Sequence, residues 1–263
     1  MRTVMISTIR NALKMATTDI SIISNNIANS GATGFKRSDG NFLHSYAEEV
    51  SIPGINVGFG VVHEEPRRHD HKQGSLRVTN NSLDLAVNGS GMFVALNPDD
   101  GEVTYTRDGS FLLDVAGNLI TTDKRRVVGT DGNPIVIPGS KADANGNATL
   151  IDSIKITNAG SIRVTYGDGD IIDRGTVALA SFANSSGLRP VGGSYFKATQ
   201  KSGPGLIGTP TLGNFGELVQ GHLEMSNTNV ANELTKLMVS QQAFGASSRL
   251  MQSAIESEKR LIG

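Results

Sequence analysis

Between Val230 and Ile262 the apolar residues Val230, Leu234, Leu237, Phe244, Met251, Ile255 and Ile262 fall on one alternating four-then-three spacing. That spacing sets them in a single stripe along an α-helix, the seam of a coiled coil. Gln241, Ser248 and Glu258 occupy the same stripe as polar interruptions. No proline follows Pro210, so nothing blocks one helix roughly 50 Å long at about 1.5 Å per residue. Asn227, Thr228 or Asn229 can cap its start, Glu233 suits its first turn, and Lys259 and Arg260 suit its last. A helix with so narrow a stripe is stable only against a partner.

The other terminus offers one. Ile6, Ile9, Leu13, Ala16, Ile20, Ile23 and Ile27 repeat the three-four spacing without a polar break, and Asn29-Ser30-Gly31 is expected to supply a left-handed residue that stops the helix. Seven seam residues at about 1.5–3 kcal/mol each give at most roughly 10–20 kcal/mol of gross burial. Ordering a helix costs roughly 1–2 kcal/mol for every residue fixed. One seam is therefore marginal, and the apolar residues off it (Ala12, Met15, Ile22, Ala28, Met238, Leu250, Ala254 and Leu261) provide further faces for other helices. The pattern predicts paired terminal helices that assemble with neighbouring copies.

The fold class expected is α+β: N- and C-terminal coiled-coil helices paired around a central antiparallel β-rich body, a sandwich or partial barrel. Residues 1–30 and 227–263 form the coiled-coil domain, 31–75 an extended arm and 76–226 the body. In the body, Leu83, Leu85 and Val87 alternate with Asp84, Ala86 and Asn88, and Asn88-Gly89 is expected to turn the chain into the buried run Met92 to Leu96. Short strands then recur between Asp100-Gly101, Asp108-Gly109, Ala116-Gly117-Asn118 and Asp131-Gly132-Asn133. Lys141 to Ala148 reads as a polar loop, and Ser202 to Gly216 as a linker back to the closing helix.

Composition narrows the chemistry. A formal net charge of −1 gives no global footprint for nucleic acid or an anionic membrane. The absence of cysteine removes disulfides, thiolate catalysis and Cys–zinc sites together. The N-terminus carries polar residues at Ser7, Thr8, Arg10, Asn11 and Lys14, so no cleaved signal peptide is expected, and no apolar run is long enough to span a membrane. Gly89-Ser90-Gly91 lacks the third glycine of a dinucleotide loop, and Ser194 and Ser202 lack a nucleophile elbow. Asp108, Asp114 and Asp123 sit where turns want carboxylates, and Asp131-Gly132-Asn133 lacks the downstream Glu of a calcium loop. His69 and His71 could reach a metal from an extended strand, but a solvated charged loop accounts for them better. No enzyme activity, metal or cofactor is expected.

Four blocks of sequence carry a family resemblance. Asn25-Asn26-Ile27-Ala28-Asn29 is followed by Thr33-Gly34-Phe35-Lys36. Gln73-Gly74 precedes Thr79-Asn80-Asn81-Ser82-Leu83-Asp84-Leu85-Ala86-Val87, and Tyr105-Thr106-Arg107-Asp108-Gly109-Ser110-Phe111 comes next. The last block runs from Gly221 through Leu223-Glu224, Asn229-Val230 and Glu233-Leu234 to Gln242-Ala243-Phe244. In this order, across nearly the whole chain, they resemble the bacterial flagellar rod and hook axial proteins. The length fits the distal-rod branch better than the proximal-rod or hook branches.

The resemblance implies a structural subunit exported by the flagellar secretion apparatus and located in the basal-body rod. It implies polymerisation into a hollow helical shaft carrying torque across the periplasm, with copies of itself, neighbouring rod and hook proteins and the surrounding rings as partners. A secreted β-rich binding module is the competing class. It would leave both seams unexplained, and the chain has no tryptophan with which to grip a glycan.

Overall fold

The computed structural model describes residues 2–40, 42–46, 58–63, 68–142 and 148–262. They fall into two compact units, one comprising Met1–Ser30, Arg37–Asp70 and Thr228–Gly263, the other Gly31–Lys36 and His71–Asn227.

The first unit is built on two helices, α1 (Arg2–Ala28) and α2 (Val230–Ile262). They run antiparallel and pack along one another, the end of α1 meeting the start of α2. Asn229 caps α2, its Oδ1 accepting the Asn232 N–H at 3.2 Å. No left-handed residue closes α1 at 29–31; the left-handed glycine is Gly34, φ 64°. Instead the Asn29 side chain donates to Asn25 O at 2.8 Å and the Ser30 hydroxyl to Ile27 O at 2.8 Å, satisfying the last carbonyls. The segment read as an extended arm contains antiparallel strand pairs, Ser38–Asp39 with Arg68–His69 and Phe42–Tyr46 with Gly58–His63. Of the charged stretch from His63 to Lys72 that holds His69 and His71, Glu64 and Glu65 lie outside the described residues.

The second unit is antiparallel β structure. Its larger sheet has nine strands, seven of them in the spatial order Arg189–Gly192, Tyr195–Lys197, Val103–Thr106, Met92–Leu96, Arg126–Val127, Leu119–Thr121, Phe111–Leu113. Leu179–Ser181 joins Met92–Leu96 from the side and carries Leu206–Gly208, so the expected linker contributes a strand. Ser140–Ala142, Ala148–Ile156, Ser161–Tyr166 and Ile171–Thr176 form a four-stranded sheet. Strand alternation explains the packing. Phe93 and Leu179 point into a core with Phe111, Ile137, Ile162 and Tyr166, while Met92, Val94 and Ala180 point the opposite way onto Tyr105, Leu188 and Phe196. The central strands are thus buried on both faces.

The hairpin expected at Asn88-Gly89 is absent, and Asp108-Gly109 likewise joins two strands, Val103–Thr106 and Phe111–Leu113, that do not pair with each other. The strands flanking Asn88-Gly89 do not pair with each other; Leu85–Asn88 pairs with Glu217–Gln220. Gly89 has φ 109°, and a Cβ there would lie 3.0 Å from Gly216 Cα, so this glycine serves a backbone approach from distant sequence.

Candidate functional site

Each unit holds a buried polar cluster built from residues of the family-like blocks. In the first unit Asn26, in the last turns of α1, is 1% exposed. Its Oδ1 accepts the Ser38 N–H at 2.9 Å and its Nδ2 donates to Ser38 O at 2.9 Å, so the carboxamide reads a peptide as a neighbouring strand would. The same Nδ2 lies 3.0 Å from Glu233 Oε2 on α2. Glu233 is itself buried, with Lys236 Nζ at 3.1 Å and Arg37 Nη1 at 3.7 Å; Arg37 also reaches Asp39 and Asp70. A buried carboxylate costs several kcal/mol unless it is paired in this way.

The second unit is fastened at Glu224. Its Oε1 accepts Lys36 Nζ at 2.5 Å and the Gly74 N–H at 2.9 Å, and its Oε2 lies 3.2 Å from Arg107 Nη1. Lys36 also donates to Lys72 O at 2.7 Å, and Arg107 Nη2 donates to Gly89 O at 2.8 Å. Burial pushes the Arg107 pKa down, and the Glu224 charge and hydrogen bond oppose that shift. The glycines are steric necessities. A Cβ on Gly34 would stand 2.3 Å from Asp108 N, and one on Gly74 would stand 1.9 Å from Met225 O. Gly34 N–H donates to Glu224 O at 2.8 Å, and Thr33 bridges Met225. The motif residues Asn26, Thr33, Gly34 and Lys36 therefore fasten distant segments, whereas Asn25 and Ala28 are exposed, and Asn29 and Phe35 are half-buried.

The seam residues divide. On α1, Ala16 and Ile23 are buried and Ile6, Ile9, Leu13, Ile20 and Ile27 half-buried. On α2, Leu237 and Met251 are half-buried, but Val230, Leu234, Phe244 and Ile255 are exposed; the Ile262 side chain lies outside the described residues. Among the described residues of α2 the buried ones are Glu233 and Ser240. Exposed apolar residues thus run along α2, with Met238, Val239 and Leu250 each about 60% exposed.

Comparisons with known proteins identify the family. Residues 86–164 match the flagellar hook protein FlgE/F/G D1 domain, and residues 219–263 the flagellar basal body rod FlgEFG protein C-terminal domain. The flagellar basal-body rod protein FlgG of Agrobacterium fabrum is 33% identical over 253 residues, covering 91% of this chain and 90% of the relative. FlgG of Buchnera aphidicola subsp. Acyrthosiphon pisum is 35% identical over 256 residues, covering 92% of each. FlgG of Bacillus subtilis is 30% identical over 266 residues, covering 96% of this chain and 95% of the relative. The class is a structural component of the bacterial flagellum and not an enzyme. The chain belongs to the flagellar basal-body rod protein family. Among the described residues, no helix is long and apolar enough to cross a membrane.

Proposed function

We propose that this chain is a rod subunit of the distal type that polymerises through α1 and α2 into a hollow helical shaft transmitting torque across the periplasm. The observation that carries the proposal is the apolar surface left exposed around α2: Leu234 and Ile255 on the seam stripe, Met238 and Leu250 off it. One chain leaves these residues in water on more than one face of the helix; a ring of neighbours would cover them, with Ile6 to Ile27 and Val230 to Ile262 as coiled-coil seams between and within subunits. Burying such a side chain contributes roughly 1.5–3 kcal/mol, and the gain repeats at every subunit. The partners on this reading are further copies, adjoining rod and hook proteins, the surrounding rings and the flagellar export apparatus, with export needing no cleaved signal peptide.

The test is electron microscopy of concentrated full-length protein beside Leu250→Asp. Leu250 is exposed in the single chain, so the substitution leaves the subunit folded while placing a charge in the subunit contact. Tubes from the parent and none from the variant support the proposal; normal tubes from the variant refute it.

A further inference from the structure

In the first unit a groove of about 380 Å³ opens where α1 ends and α2 begins. Ile22, Ile23 and Val239 give it an apolar floor, with Asp19 and Asp39 among its lining residues. Val239 is 60% exposed, so the floor meets solvent in the single chain. Among the described side chains around it, the carboxylates Asp19, Asp39, Asp70 and Glu233 outnumber the cations Arg37 and Lys236. The opposite end of the helix pair has the reverse balance. Residues 1–14 and 249–262 carry six cations, Arg249, Lys259 and Arg260 among them, against two carboxylates. That end also exposes Leu250 and Ile255.

We infer that this groove receives the basic tip of the helix pair of a second copy of this chain, so that subunits join base to tip. The inference rests on the rod-subunit reading and specifies its axial contact. An apolar floor edged by carboxylates is met by apolar residues flanked by cations, and both halves belong to one polypeptide. Because the two patches differ and lie at opposite ends, they can be joined in an open, heterologous series: its end subunits keep one groove and one tip free, and the chain of contacts grows in one direction. A reciprocal two-fold pair would satisfy both patches at once and stop at the dimer, so a parent protein whose sedimenting species never exceeds the dimer would overturn the base-to-tip series.

Charge reversal tests it on the full-length protein by sedimentation over rising concentration. Asp19→Lys alone, and Arg249→Glu with Lys259→Glu in one chain, should each raise the concentration needed for assembly by about tenfold or more at roughly 0.05 M salt. The two variants mixed should assemble nearly as the parent does, because each reversed groove then finds a reversed tip. Asp19→Asn, which removes the charge without inverting it, should lose less than Asp19→Lys. Circular dichroism verifies that each variant is folded. Unimpaired assembly of either reversed variant, or no recovery on mixing folded variants, overturns the base-to-tip contact while leaving the polymer reading intact. A parent protein that stays monomeric at every concentration overturns both.

Discussion

Asn26 and Glu233 stand 207 positions apart in the chain and 3.0 Å apart in space, the amide nitrogen of one donating to a carboxylate oxygen of the other. Each is buried, and each sits on a helix whose periodicity predicts apolar contacts. The junction of α1 and α2 is therefore specified by polarity, which fixes register more sharply than apolar packing does.

Asn26→Ala should destabilise the helical unit by about 2–4 kcal/mol, since it strands the Ser38 peptide and one oxygen of Glu233. Asn26→Asp should cost more than Asn26→Ala, because it sets a second carboxylate against Glu233 and loses two donors. Helical ellipticity followed through thermal unfolding measures both, and equal melting of Asn26→Asp and the parent would refute this account.

Glu224→Gln should be among the most damaging single changes in the β unit, costing about 3–5 kcal/mol by leaving buried Lys36 and Arg107 close together without their carboxylate. Lys36→Met should cost less, because Glu224 keeps Arg107 and the Gly74 N–H. Urea midpoints at constant slope separate the two; the opposite ranking would contradict the structure.

Two neighbouring glycines should respond in opposite ways to alanine. Gly34→Ala combines a left-handed backbone, φ 64°, with a Cβ 2.3 Å from Asp108 N, and should cost about 3 kcal/mol or more. Gly31→Ala meets nothing within 4 Å and has no positive φ, so it should be neutral or stabilising by up to about 1 kcal/mol. Thermal melts of the two variants check this.

Burial pushes the Tyr195 phenol up to about 12, against a smaller lowering from its 2.8 Å hydrogen bond to Thr121 Oγ1. With the folded value above the unfolded one, the native state holds the proton longer as pH climbs. The associated stability is complete below about pH 10 and drains away as pH rises toward 12. Tyr195→Phe should flatten that part of the stability–pH curve, at the cost of about 1 kcal/mol at neutral pH from the lost hydrogen bond. Urea titrations between pH 9 and 12 on both proteins provide the comparison, and parallel curves would exclude Tyr195 as the source.

Amides of the far turns, residues 3–14 and 249–261, should exchange quickly in dilute monomer and slowly after assembly, while the junction at Asn26 and Glu233 and strands such as Met92–Leu96 stay protected in both. Hydrogen exchange with mass spectrometry resolves the segments. Strong protection of both helices in the monomer would show that they fold without neighbours.

Both helices were legible because a period near 3.6 and a polar cap are local signals: α2 begins at Val230 and is capped by Asn229, one of the three candidate caps. Hairpins at Asp100-Gly101 and Ala116-Gly117-Asn118 were legible for the same reason, with Gly101 and Gly117 at positive φ. Asn88-Gly89 carries the same hairpin signal, yet its flanking strand pairs with Glu217–Gln220, and nothing within a few residues announces a partner that far along the chain. Glu233 and Ser240 turn inward although polarity alone assigns them to solvent. The available clue was chemical: an asparagine near the end of one helix and a glutamate near the start of the other are complementary groups.

The named side-chain anchors of α2, Asn229, Glu233 and Lys236, all belong to its first two turns. Such a helix resembles a mast stepped at its foot: it unravels from the top downward. A subunit pulled from its neighbours should accordingly surrender its far turns early and its footing last, so that returning copies find one end of the template already in place.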